Sequence, residues 1–405
     1  MARRSLVLAE HSTRQGVELS LEDAQALNAA GARIVTVPRS DGRFDVQTKQ
    51  VVGTVRTANL DVVIHPKVSI EGFLELLGHA ADLARLHGRL DLQRWDELLP
   101  SLTRLYAHAL AGALRRGALR GYHPHRDELA FCRGRIDVLD LVTRRYGIVP
   151  PITCDFEEFS PDIEVNRRLR AAADFLVRSG FGRDRDRGLL RTSLGQLTDV
   201  GLRRYRPPLA PLPRDRRVSN AYGPAVDLAN LILTCASVEL RHGAVASVGF
   251  LVNMDDLYER WVSAVLRRAL GASGSRWKRH PPKLYLDHDE SVKLEPDMVW
   301  LPSGRPPLPI DAKYKRSVRL PNPDVYQMAA YCTGLDVSEG VVMSVDVEPY
   351  VLRLVDGVRI HVRRLSVEGG PEKRERAVRS EALFLRELMK ADISVEAAAL
   401  SKGAP

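Results

Sequence analysis

Two different spacings of apolar residues divide the chain. Over the first 68 residues, short β-prone runs at Arg33–Val37, Phe44–Val55 and Leu60–Val68 are separated by Gly, Asp and Asn turn signals. This pattern predicts a small β-rich domain over residues 1–68. From Ile70 to about Leu119 apolar residues recur at helical spacing instead, with Gly121 as a stop. Helices are also predicted through EVNRRLRAAADFLVRSG and GPAVDLANLILTCASVEL, which gives a helical middle region over residues 69–245. From Ser247 the order is mixed. A helix in MDDLYERWVSAVLRRALG precedes β-prone pieces at Lys283–Leu286, Asp297–Leu301 and Leu308–Ala312, then a helix over Asp324–Cys332 and a strand over Gly340–Val345. That order predicts an α/β domain over residues 246–370. A charged, helix-prone stretch over 371–405 closes the chain, with Ser401–Pro405 expected to fray. The expected fold class is multidomain α+β: a small N-terminal β-rich domain, a helical middle region and a C-terminal α/β domain.

Composition narrows the classes. A chain of 405 residues with 44% hydrophobic and 27% charged residues reads as a soluble globular protein of two or three domains. No run approaches the ~18 apolar residues of a membrane span. The N-terminus has two arginines and too few apolar residues before Glu10 for a signal peptide. Cys132, Cys154, Cys235 and Cys332 are widely spaced, with no zinc or disulfide pattern, which fits a reducing cytoplasm. The net charge of +9 raises the expectation of a nucleic-acid partner. Between Arg183 and Arg217 ten Arg stand against four Asp, with four prolines. Arg203, Arg204 and Arg206 are therefore DNA-backbone candidates, the alternative being a solvated helix face and connector.

The chemistry gathers in one block. Glu295-Pro296-Asp297 is followed, 14 residues after the Asp, by Asp311-Ala312-Lys313. Asp297 opens one apolar strand-like run and Asp311 ends another, and strand alternation puts Asp311 and Lys313 on one face. Two carboxylates and an amine at such a point suit phosphodiester hydrolysis. The carboxylates can hold Mg²⁺, or Mn²⁺ in its place, and the amine can orient water and offset negative charge. Gln327 and Tyr331 lie four apart on a predicted helix and share a face. Glu259 on the upstream helix is either a further metal or supporting carboxylate of the site or an exposed Glu paired with Arg260 or a neighbour. Glu295 is another metal candidate, and Lys315, with the parity of Lys313, a DNA-backbone candidate. Asp255, Asp256, Asp287 and Asp289 read as helix caps or loop residues.

The EPD…DAK block resembles the PD-(D/E)xK nucleases, and the QxxxY spacing of Gln327 and Tyr331 resembles the accessory motif of their RecB-like members. A longer set of segments resembles McrC, the nuclease subunit of McrBC restriction systems directed at 5-methylcytosine DNA. The set comprises VVIHPKV, GYHPHRDELAFCRGRIDV, CDFEEFSPDIEVNRRL, FLVNMDDLYERWV, EPD…DAKYK and DVYQMAAYC, from about residue 60 to 335. The resemblance implies that Asp297, Asp311 and Lys313 are catalytic, that double-stranded DNA is the substrate, and that the C-terminal domain has the restriction-endonuclease fold. It implies as partner an McrB-like AAA+ GTPase, docked by the N-terminal domain and stimulated by it. GTP enters only through that partner, in keeping with the lack of a phosphate loop of the form GxxxxGKS or GxxxxGKT in this chain. Loops at Arg39–Arg43 and Arg56–Asn59 are candidates for the docking tip. Arg133, Arg135 and Arg167 are expected to pin helices through ion pairs with Asp155, Glu157 or Glu158, or else to contact DNA or the partner. Two other readings stay open: a standalone nuclease without a motor, and a non-catalytic activator of an AAA+ ring.

Overall fold

The computed structural model describes residues 4–29, 33–80, 95–144, 146, 151–207, 209–212, 222–237, 248–271, 276–279, 281, 283–316 and 319–401. The first elements are β1 (Arg4–Ala9), β2 (Thr13–Val17), α1 (Leu21–Ala29), β3 (Ile34–Pro38), β4 (Phe44–Thr48), β5 (Val51–Arg56) and β6 (Leu60–His65). In β6 Leu60, Val62 and Ile64 are buried and the residues between them half-buried, the alternation of a strand lying on a core. β1 pairs in parallel with β6, which pairs antiparallel with β5. β2, β4 and β3 make a separate antiparallel sheet.

The middle of the chain runs through α2 (Ile70–Ala80), α3 (Leu98–Ala113), β7 (Gly121–Leu129), β8 (Arg135–Ile136), α4 (Val138–Thr143), β9 (Ile152–Ser160), α5 (Glu164–Ser179), α6 (Asp184–Gly195) and α7 (Gly223–Cys235). Of the expected helices, the first stretch appears as α2 and α3, with residues 81–94 between them outside the described residues. The last stops at Cys235, where Ala236–Ser237 turn to strand and 238–240 lie outside the described residues. α5 buries Val165, Leu169, Ala172, Ala173 and Leu176 along one face. Residues 121–160, expected to belong to a helical region, instead include an antiparallel sheet in the order β7-β9-β8. The polar run His123 to Glu128 offers a helix no apolar stripe, and pairing with β9 satisfies its backbone. Short β10 (Ala236–Ser237) and β11 (Val248–Asn253) then return to the N-terminal sheet. β11 pairs antiparallel with β5, from Val248 opposite Arg56 to Asn253 opposite Val51. The first sheet thus reads β1-β6-β5-β11-β10 and is not confined to residues 1–68. Gly53, with φ +136°, permits this pairing, since a Cβ there would lie 1.9 Å from the Phe250 carbonyl oxygen.

The last part comprises α8 (Met254–Leu270), β12 (Arg276–Arg279), β13 (Met298–Leu301), β14 (Leu308–Arg316), α9 (Asn322–Leu335), β15 (Glu339–Asp346), β16 (Tyr350–Arg353), β17 (Arg359–Arg364) and α10 (Gly370–Ser401). Its sheet has the order β12-β13-β14-β15-β17-β16, with β14, β15 and β17 parallel. α8 buries Tyr258, Trp261, Val262 and Leu266 against the main core. α9 closes a second cluster with Met328, Tyr331 and Cys332 over Val342, Ile360 and Val362. The strand expected at Lys283–Leu286 amounts to one bridge, Tyr285 to Lys293, because Leu284 packs inward beneath α9. Of the tail expected to fray, residues 402–405 lie outside the described residues. Among the described residues no helix is long and apolar enough to cross a membrane.

Candidate active site

β13, β14 and α9 bring the predicted residues together. Asp297 stands just before β13, and its Oδ2 accepts from the Ala312 N–H of β14 at 2.8 Å. That bond holds the start of one strand against the end of the next. Asp311 is only 2% exposed, and its Oδ2 lies 2.7 Å from Lys313 Nζ. The ammonium also donates to Gln327 Oε1 at 2.8 Å. Gln327 Nε2 donates to Tyr331 OH at 2.8 Å, and Tyr331 OH donates to the Glu295 carbonyl at 3.0 Å. One chain of hydrogen bonds therefore runs from Asp311 through Lys313 and α9 back to the residue two before Asp297.

Burial sets the electrostatics. Asp297 is pushed up to about 8, first by burial and then by the charges of Asp311 and Glu259. Asp311 is raised as well, chiefly by burial, with Lys313 opposing the shift. Burial alone would lower Lys313, yet the charge and hydrogen bond of Asp311, with Asp297 and Asp324, leave it raised, so it stays cationic. Lys313 is thus a donor and a positive charge rather than a proton acceptor. Asp311 Oδ1 is buried without a hydrogen-bond partner, beside a second carboxylate that shares its desolvation. Such a pair fits a hard divalent cation, which would supply the missing partner and remove the repulsion. Among the described residues no three His, Cys, Asp or Glu side chains gather as a ligand set. The donors such a cation would find here are the two aspartates, and Mg²⁺ commonly keeps water and substrate oxygens as its remaining ligands.

Other candidates take different places. Glu259 accepts from Arg279 at 2.8 Å and is near enough to raise Asp297, whereas Arg260 pairs with Asp256. Its side chain borders the aspartate pair, although its ion pair is with β12 rather than its own helix. The Glu295 side chain is exposed and pairs with Lys293, and its carbonyl joins the network. Lys315 is held by both oxygens of Asp324, at 2.7 and 2.9 Å. Arg203, Arg204 and Arg206 are exposed in the loop after α6, where Arg203 and Arg204 border a recess with Arg178 and Tyr205. Arg167 forms its ion pair with Asp162 at 2.7 Å, not with the acids expected. Arg133 stacks over Phe156, 4.1 Å from the ring centre, and Arg135 is exposed at the start of β8.

Three residues escaped the sequence reading. Asp324, 4.0 Å from Lys313, is buried and shares a helix face with Gln327 and Tyr331 by its spacing of three and seven. That spacing was the available signal. Asp255, read as a cap residue, is pushed up to about 6 by burial, with Lys315 and Lys313 opposing. Glu10, 1% exposed at the end of β1, accepts from Tyr314 OH at 2.8 Å and from the Lys67 N–H at 2.6 Å. No local pattern signals that contact.

A mixed α/β protein with paired buried aspartates and a fixed lysine on adjoining strands is the class these features define. A family profile described as McrBC 5-methylcytosine restriction system component matches residues 46–343, and the chain belongs to that family. A search of curated proteins gives no match. Among solved structures, one is a refined half-complex from a tetradecameric assembly of Thermococcus gammatolerans McrB AAA+ hexamers with bound McrC. The chain is 17% identical to it, with a TM-score of 0.56 over 94% of this chain and 100% of that one. A cryo-EM structure of the Thermococcus gammatolerans McrBC complex matches at 18% identity and a TM-score of 0.36, over 66% of this chain and 88% of that one.

Proposed function

We propose that this chain is the endonuclease subunit of a GTP-dependent restriction complex that cleaves methylcytosine-containing double-stranded DNA. The observation that carries the reading is Asp311, with one oxygen on Lys313 and the other buried and unpartnered beside Asp297, in a chain of this family. The order α8, β12, β13, β14, α9, β15 around that pair supports a PD-(D/E)xK nuclease core.

Asp297 and Asp311 would hold Mg²⁺, or Mn²⁺ as a substitute. The metal, when bound, supplies Lewis-acid polarisation of the phosphate and an acidified water. Lys313 places a fixed positive charge at the same point, with two of its three N–H bonds spent on Asp311 and Gln327 and the third left for a substrate oxygen. Tyr331 and Gln327 hold that ammonium in position, and Asp324 holds the neighbouring Lys315.

An AAA+ GTPase is the proposed partner, in keeping with the similar structure of McrB hexamers with bound McrC. Of the two docking loops expected, the hairpin tip Arg39–Arg43 is exposed, whereas Arg56 is turned inward onto Asp61, the Ser179 carbonyl and the Phe181 ring. An exposed apolar set stands on and beside the β7-β9-β8 sheet, at Phe131, Val138, Leu139, Val142 and Tyr146. We assign the partner contact to it.

The test uses methylated duplex DNA, a purified McrB-like AAA+ GTPase, GTP and Mg²⁺. Asp311→Asn is expected to lower cleavage by about a thousandfold or more while leaving GTP hydrolysis stimulated. Equal cleavage by both proteins would sink the assignment. GTPase stimulation with no cleavage by the unaltered chain would make it a non-catalytic activator.

A further inference from the structure

A cavity of about 720 Å³ opens between α7, α8, the end of β11 and Arg33, a volume that suits a nucleotide-sized group. Among the described residues, Arg33, Arg168, Arg260, Arg267 and Arg279 line it, against a single acidic lining residue, Asp256. Three of the five are engaged. Arg168 bonds Glu164, Asn230 and the Ala210 carbonyl, Arg260 pairs with Asp256 at 2.8 Å, and Arg279 pairs with Glu259 at 2.8 Å. The other two are not neutralised. Among the described residues Arg267 has no ion-pair partner, and Arg33 reaches only the Leu251 carbonyl, at 3.4 Å. In addition, Arg260 Nε is buried with no acceptor.

These groups converge. Arg33, Arg260 and Asp256 all lie close enough to the buried Cys235 to act on its thiol, and since Asp256 pairs with Arg260, the charge of Arg33 is the one left uncompensated on that stretch of wall. Cations brought together in a partly desolvated recess with unfilled donors form a site for an anion, and guanidinium matches the oxygens of a phosphate. The recess also adjoins the candidate active site. Arg279 is on its lining, and the partner of Arg279 is Glu259, whose charge is felt by Asp297.

We infer that this cavity binds the phosphodiester backbone of the DNA strand being cut, holding phosphates beside the scissile one through Arg33 and Arg267. The identity of the strand rests on the nuclease reading above. The anion site itself rests on the arginines.

Binding of a fluorescein-labelled duplex to the full chain, followed by anisotropy in EDTA, tests the inference without any cleavage. The double variant Arg33→Gln/Arg267→Gln is expected to bind about tenfold more weakly, with the log–log salt dependence shallower by about two. Arg353→Gln, exposed on the far edge strand β16, is expected to change neither. An unaltered melting temperature in the double variant excludes misfolding as the cause. Unchanged affinity and salt slope would overturn the inference. So would saturable binding of dCMP abolished by the double substitution while duplex affinity holds, since the cavity would then belong to a mononucleotide. A chain that binds DNA through these arginines yet never cuts it would defeat the nuclease reading and leave this one standing.

Discussion

Asp297 and Asp311 are buried together at a cost, and that cost is measurable. Asn at position 297 keeps an oxygen for the Ala312 N–H and stays neutral without a proton, whereas Asp297, raised to about 8, must take one up on folding in neutral, metal-free solution. Asp297→Asn is therefore expected to melt several degrees higher than the unaltered chain in metal-free buffer, and to lose cleavage. Mg²⁺ should raise the melting temperature of the unaltered chain and not that of the variant; equal response of both would remove Asp297 from the metal site. A second residue sets an acid limit. Burial would raise Glu339, but hydrogen bonds from His361 at 2.7 Å and Arg359 hold it below its ordinary 4.5. A depressed carboxylate stabilises the fold above its unfolded value, and that stability is lost as pH falls through the lower folded value. Urea midpoints of Glu339→Gln should thus fall below those of the unaltered chain near neutrality and converge with them below about pH 4. At this scale the sequence was informative where chemistry is local. Asp297, Asp311, Lys313, Gln327 and Tyr331 were legible from strand parity and helix spacing. Asp324 was not, because an acid at a helix start serves equally well as a cap, and Glu10 was not, because its partner Tyr314 lies 304 residues away.

Elements matter to the site through how closely they approach. Gly340 on β15 lets α9 lie near: a Cβ there would meet Met328 Sδ at 2.7 Å and Cys332 Sγ at 2.8 Å. Gly340→Ala is expected to cost about 1–3 kcal/mol of stability by overpacking. It should also cut cleavage through displacement of Gln327 and Tyr331, although no catalytic atom is changed; full activity with reduced stability would show that α9 does not position Lys313. Legibility of elements followed their burial. α5 and α8 announced themselves because one face is apolar and the other charged, and α9 because apolar residues recur at helical spacing after Pro323. β12, with Arg276, Lys278 and Arg279 exposed, and the polar β7 carry no period, and their identity comes from the strands they pair with.

For the molecule as a whole, the charge of +9 was a blunt signal. Many arginines serve the interior: Arg56 on Asp61, Arg168 under α7, Arg363 on Glu381 and Arg374 on Glu71 and Glu75. The exposed apolar residues were the sharper pointer to a partner. Leu139→Ser/Tyr146→Ser is expected to reduce stimulation of the partner's GTP hydrolysis at least tenfold without lowering the melting temperature of the free chain, because both side chains are already in water. Unchanged stimulation would move the contact elsewhere. The three-part division read from the sequence could not anticipate that β11 completes the first sheet, since Val248 and its partner Arg56 share no local pattern. Asn253 is at once the last residue of β11 and the cap of α8, accepting from the Asp255 N–H at 3.0 Å. The first sheet and the helix bearing Glu259 are consequently joined without a tether. Inserting a single residue at that joint would turn α8 by about 100° and swing Glu259 away from Asp297. Register, not reach, is what evolution must preserve there, and length changes are tolerable only elsewhere in the chain.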